Sequence, residues 1–237
     1  MSKKWLKVAL MVTAIATGTS IQVDAETVLY VPQDDRPVSL QYTVDTAKAA
    51  GMTVLTPPQN LISGKTYKGQ ADQIWNWVEQ NAGRADVMVL STDTLIYGGL
   101  VDSRKHNLPL STLENRLKRI EALKANHKNI RIYGFGTVMR SPRASGGGTE
   151  PSYYADYGPT IFQIAALQDK LDAGTLTQAE TQKLMSLQAS VPVEYLQDWF
   201  DRRQKNMKIN KELIDETRSG VFDYFALGHD DTSQLSQ

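Results

Sequence analysis

Asp34-Asp35-Arg36-Pro37 follows directly on the apolar run Val28–Pro32, and Gly228-His229-Asp230-Asp231 follows directly on Phe225-Ala226-Leu227. Carboxylates and a guanidinium placed where a buried strand opens into a loop are costly in a core and useful in a cleft. Asp93, in Ser91-Thr92-Asp93-Thr94, takes the same place after the run Asp86–Ser91. Two such carboxylates could act as acid and as nucleophile or base on a glycosidic bond, or hold a cation that activates water. His229 lies between a strand end and two carboxylates, which makes it the strongest of three histidines for acid–base work or metal ligation. His106 and His127 read as surface or helix-end residues. The candidate catalytic set is therefore Asp34, Asp35, Asp93, His229, Asp230 and Asp231.

Neighbouring side chains of a strand point to opposite faces. One of Asp34 and Asp35 is thus expected to face the cleft, while the other pairs with Arg36 or caps a helix starting near Ser39. The blander reading is an Asx-turn and cap with no chemistry. Candidate substrate-binding residues are Arg36, Tyr97, Arg104, Arg140 and Arg143. Tyr97 could stack on a sugar ring, and Gly98-Gly99 beside it permits a tight turn or a close approach to ligand. Arg104, after a polar loop, reads as a clamp on an anion or as a surface residue. Arg140 and Arg143 suit bidentate contacts to an anionic group, or they neutralise the acidic cluster; the sequence leaves both open. No metal motif has the right spacing, and an oxygen-rich cluster would favour Mg²⁺, Mn²⁺ or Ca²⁺ over zinc. Gly64-Lys65-Thr66 imitates a phosphate loop, but Gln59 stands where that loop needs glycine, and no G-x-S-x-G occurs.

These residues must be positioned by the elements between them. Val28–Pro32, Met52–Leu55, Asp86–Ser91, Ile130–Phe135 and Phe222–Leu227 are continuous apolar runs, as in parallel strands covered on both faces. Ser39–Ala50, Gln70–Asn81 and Ser111–Asn126 have helical spacing, the last with a capping-box pattern at Ser111-x-x-Glu114. The alternation predicts an α/β fold: a mostly parallel sheet with flanking helices, Rossmann-like or part of a barrel. From Ser141 to Gly220 no strand is expected. A Gly/Ser loop there leads into about three helices, with Thr177-x-x-Glu180 as a cap, Pro192 in a first turn and Gly220 as a C-terminal cap. This helical insertion, about 150–220, is either a gate over the cleft or a plain bracket.

Residues 1–25 read as a Sec-type signal: Lys3, Lys4 and Lys7, an apolar Val8–Thr17, and Val23-Asp24-Ala25 as a small-residue cleavage site. The apolar run is far short of the ~20 residues a membrane span needs. Cleavage would leave residues 26–237 as one secreted α/β domain without a stable span. The chain has no cysteine, which removes disulfides, thiolate zinc sites, a cysteine nucleophile and a lipid-anchored lipoprotein. Lys plus Arg and Asp plus Glu number 26 each, and no segment is strongly basic, so nucleic acid is not an expected partner. Oligomeric state is not legible.

Val31-Pro32-Gln33-Asp34-Asp35-Arg36-Pro37, Leu95-Ile96-Tyr97-Gly98-Gly99-Leu100-Val101-Asp102-Ser103-Arg104 and Leu227-Gly228-His229-Asp230-Asp231 occur in that order. In this combination the sequence resembles DUF4127, a bacterial family of uncharacterised proteins, over most of the mature chain. The resemblance implies a longer protein of which this chain is the N-terminal half, truncated soon after its last strand. The family carries no assigned activity, so it supplies no catalytic residue. From the residues themselves, the leading expectation is an extracytoplasmic hydrolase, glycan-directed or metal-dependent. Its rivals are a noncatalytic protein binding an anionic or sugar ligand through its arginines, and an inactive fragment of a longer enzyme.

Overall fold

The computed structural model describes residues 25–144 and 147–230. The leader as far as Asp24, and Asp231, lie outside these residues. Five parallel strands form one sheet: β1 (Thr27–Val31), β2 (Thr53–Leu55), β3 (Val87–Ser91), β4 (Arg131–Val138) and β5 (Tyr224–His229), in the order β2-β1-β3-β4-β5. The helices are α1 (Gln41–Ala49), α2 (Ala71–Asn81), α3 (Thr92–Tyr97), α4 (Leu100–Lys105), α5 (Leu110–Asn126), α6 (Tyr154–Asp172), α7 (Gln178–Ala189) and α8 (Val193–Arg218). The parallel α/β expectation holds. Of the two arrangements expected, the described residues adopt the open, doubly wound one.

The order reverses at β1. The first crossover steps from β1 to β2, and the later ones step away through β3, β4 and β5. With right-handed crossovers, that reversal puts α1 on one face of the sheet and the other crossover helices on the opposite face. The packing agrees. Leu29, Val31, Met88, Leu90 and Ile132 alternate onto one face and share a core with Ile74, Trp75 and Val78 of α2, Leu113, Leu117 and Ile120 of α5, and Ile209 and Leu213 of α8. Trp75, completely buried, anchors this core and donates its indole N–H to the Leu95 carbonyl at 2.8 Å. On the other face Val28, Val54, Val89 and Tyr133 line an open groove of about 250 Å³ with Val44 and Ala47 of α1, a helix with no buried residue.

A second core forms in the helical section, where Tyr154, Ile161, Ile164, Leu184 and Trp199 cluster with Met139. Helix α8 joins the two cores. Its first half belongs to the helical section and its second half is the crossover into β5, so the insertion proper is α6, α7 and the start of α8. Thr177 and Glu180 form the expected capping box, and Gly220, at φ +85°, follows the end of α8 as its left-handed cap. The Ser111–Glu114 box does not form. Helix α5 starts at Leu110 after Pro109, with no side-chain cap, and Glu114 pairs with Lys208 instead.

Candidate functional site

The order reversal creates a crevice beyond the carboxyl ends of β1 and β3, the place where open α/β sheets bind ligands. Asp93 stands there. Asp93 follows its strand as expected, but within a helix: Ser91 accepts the Thr94 N–H at 3.3 Å and caps α3, which puts Asp93 in that helix's first turn. Gly98, at φ +112°, ends the helix. The Asp93 carboxylate accepts hydrogen bonds from Gln33 Nε2 at 2.8 Å and Thr137 Oγ1 at 2.9 Å, so it ties together the ends of β1, β3 and β4. It is only 2% exposed. Burial pushes its pKa up to about 6, against the pull of the Gln33 and Thr137 bonds, and the charge of Asp230 raises it further.

Asp34 and Asp35 lie in a bend beyond the end of β1, so local partners rather than the pleat divide them. Asp34 is buried and clamps Arg36, with Nη2 at 2.7 Å and Nε at 2.8 Å. The backbone N–H of Arg36 also donates to it, at 3.2 Å. Asp35 accepts a hydrogen bond from the exposed Tyr67 hydroxyl, and its own N–H donates to the Ser63 carbonyl. Half of the Arg36 side chain stays open to solvent. Its pKa is raised, chiefly by the bond to Asp34, with Asp230 and Asp35 adding smaller contributions.

Arg104 is neither a surface residue nor an open clamp. It lies on α4, 4% exposed, and its Nη2 reaches Asp230 Oδ2 at 2.6 Å, with Glu150 at 3.7 Å from Nη1. Burial lowers its pKa, and the two carboxylates oppose that. Glu150, itself buried, is also held by Arg140 at 2.5 Å. Between the two readings of Arg140 and Arg143, neutralisation describes Arg140. Arg143 instead lies over the Phe162 ring, 5.3 Å from its centroid. The rim is thus a chain of alternating charges, Asp230–Arg104–Glu150–Arg140, standing close to Asp93.

Three expectations change. Tyr97 is buried and stacks on His106, with centroids 5.0 Å apart, so it presents no platform to a sugar; burial raises its pKa. His106 is buried rather than superficial. Its Nε2 meets Asn206 Oδ1 at 2.8 Å and its Nδ1 accepts the Leu108 N–H, and burial lowers its pKa to about 4. His127 does end a helix, as expected. Gly98-Gly99 approaches its own chain rather than a ligand: a Cβ at Gly69 would fall 1.9 Å from the Gly98 carbonyl oxygen, and one at Gly99 would strike Ser63.

His229 is exposed and shares the β5 face of Phe225 and Leu227. It lines a cleft beneath the helical section, with Asp169 and Asp172 of α6. Asp93, Asp34, Asp35 and Asp230 gather along the rim without it. Among the described residues, no group of three or more His, Asp or Glu side chains is arranged to hold a metal ion. The donors around Asp93 suit a carboxylate, not a cation. Sequence reading missed Gln33, Thr137, Tyr67 and Glu150. Gln33 directly precedes Asp34 in the chain.

A family model described as a protein of unknown function, DUF4127, matches residues 28–237. The chain belongs to this family. The match begins inside β1 and runs past Asp230, so the family's extent takes in every strand and the whole rim. No curated protein and no solved structure matches the chain.

Proposed function

We propose that this chain is an extracytoplasmic, glycan-directed hydrolase in which Asp93 is the proton donor and Asp230 the second carboxylate. The observation that carries the reading is Asp93 itself: a carboxyl group at the sheet's reversal point, held near neutrality between its charged and protonated forms. Enzymes separate two carboxylates in this way, giving one a raised pKa to act as acid and leaving its neighbour to act as nucleophile or base. Here the neighbour is Asp230, ion-paired to Arg104 and close enough for its charge to act on Asp93.

In the proposed reaction Asp93 protonates the leaving glycosidic oxygen. Asp230 either activates a water that attacks the sugar carbon from the opposite side, or attacks that carbon itself as the glycosidic bond breaks; in the second case water, deprotonated by Asp93, then cleaves the sugar–Asp230 ester and restores both carboxyl groups. A separation of the working carboxylates near 5–5.5 Å would give retention, and ~6.5–9.5 Å inversion. Because Asp93 is 2% exposed, substrate must displace a covering side chain, and half-buried Gln33 and Thr137 are the two bonded to the carboxylate. A binding protein acting through arginines has less support, since Arg104 and Arg140 are already held by carboxylates and Arg143 lies over Phe162. Export rests on the leader and is tested by N-terminal sequencing of the exported protein, expected to start at Glu26.

The test is turnover of cell-wall and polysaccharide substrates by the wild type, Asp93→Asn and Asp230→Asn. The expected result is turnover in the wild type that survives EDTA and is lost in both variants, with kcat/KM controlled by a group near pH 6. Full activity in Asp93→Asn refutes the assignment, and loss of wild-type activity in EDTA refutes the metal-free mechanism.

A further inference from the structure

A cleft of about 770 Å³ lies between the helical section and the ends of β4 and β5. Its lining includes none of the rim carboxylates, and its volume is within the range of small-molecule sites, ~300–1,000 Å³. One wall is a stripe of α8, Leu196, Phe200, Arg203 and Met207, at i, i+4, i+7 and i+11. The first core takes Ile209 and Leu213 from the same helix, so this stripe faces the cleft instead, and Met207 is 43% exposed. The facing wall is one face of α6, Gln168, Asp169 and Asp172, and His229 closes the end at β5. Gln188 and Gln204 stand at the margin.

The composition reads as chemistry. An aromatic ring and aliphatic carbons line one side, and side-chain amides, carboxylates and an imidazole line the other. A sugar ring has the matching two-sided character, with C–H bonds on its faces and hydroxyls around its edge. The formal charge narrows the choice. Arg203 is half-buried, feels the charge of Asp169 and donates to the Met139 carbonyl, so its charge is answered within the protein. Asp172 accepts a hydrogen bond from the Gln168 amide at 2.8 Å and keeps its negative charge, which disfavours acidic sugars and suits hydroxyls or an amino group at its remaining oxygen.

We infer that this cleft is a saccharide-binding subsite for neutral or amino-bearing sugars, with Phe200 as the stacking wall and Asp172, Gln168 and Gln204 as partners for polar groups. As a subsite the inference rests on the glycan-directed reading; as a binding site it stands on the cleft alone. The experiment is isothermal titration calorimetry of the wild type, Phe200→Ala and Gln204→Ala with four trisaccharides: of N-acetylglucosamine, of glucosamine, of glucose and of galacturonic acid. Saturable binding of at least one of the first three is expected, with none of the galacturonate trimer. Phe200→Ala should weaken it at least tenfold and Gln204→Ala several-fold. Because Phe200 also packs in the second core, exposed Gln204 provides the variant whose fold is not at risk. Absence of binding, equal binding of the galacturonate trimer, or unchanged affinity in Gln204→Ala overturns the inference. Binding without turnover leaves the subsite standing and sinks the hydrolase reading; turnover that ignores both cleft variants does the reverse.

Discussion

Replacing Asp93 with Asn should change how stability depends on pH, by an amount the structure sets. In the folded chain burial raises the Asp93 pKa from an ordinary 3.8 to about 6. A carboxyl raised on folding costs nothing below its unfolded pKa, where it is protonated in both states. The cost appears as pH rises from 3.8 to 6 and is fully expressed above that. The difference of about two pKa units is worth roughly 3 kcal/mol for this buried group. Most of that, about 2 kcal/mol, falls between pH 4 and pH 7.5. Asn cannot ionise, so the stability of Asp93→Asn relative to wild type should rise by this amount over that interval. Any fixed cost of fitting an amide against Gln33 and Thr137 is independent of pH and drops out. Urea unfolding of both proteins at half-unit pH steps measures the quantity directly. A difference that stays constant from pH 4 to pH 7.5 would refute both the raised pKa and the acid role built on it.

The comparison must be between proteins, because His106 pulls the other way. Its folded pKa of about 4 lies below the ordinary 6.5, so the stability it contributes is present above pH 6.5 and is lost as pH falls toward 4. His106→Gln should remove up to about 3 kcal/mol of that acid sensitivity, read from the same urea series. Arg104→Met should destabilise by about 3–5 kcal/mol, because Asp230 loses its cation and Glu150 one of two, and Arg104→Lys should lose less; thermal and urea unfolding check both. Thr177→Ala breaks the capping box of α7 and should cost about 1 kcal/mol, seen first as faster amide exchange in the opening turn of that helix.

The strands were legible because a parallel strand buried on its faces leaves an unbroken apolar run. Their order could not be read, since it depends on where each crossover lands. The two short helices, α3 and α4, went unseen for a physical reason: six residues are too few to show a period. Their ends were nevertheless written, in Ser91 as a cap and Gly98 as a left-handed stop. The burial of Arg104 was illegible because its partner Asp230 lies 126 residues away and only the fold brings them together. His229 is the reverse case. Adjacency to Asp230 in sequence suggested a shared site, but alternation along β5 sends the histidine under the helices while Asp230 joins the rim.

That rim treats its carboxylates unequally, and the inequality supports the acid assignment. Asp34 has Arg36, Asp230 has Arg104, and Glu150 has both Arg104 and Arg140, each a cation within ion-pairing distance. Asp93 is held by neutral donors, an amide and a hydroxyl. A guanidinium in the place of Gln33 would favour the charged form and make the group useless as a proton donor near neutrality. With no donors at all, burial would favour the protonated form and leave an acid reluctant to give its proton up. Neutral donors against full burial leave the two forms close in energy, which is the condition a proton-transfer group must meet.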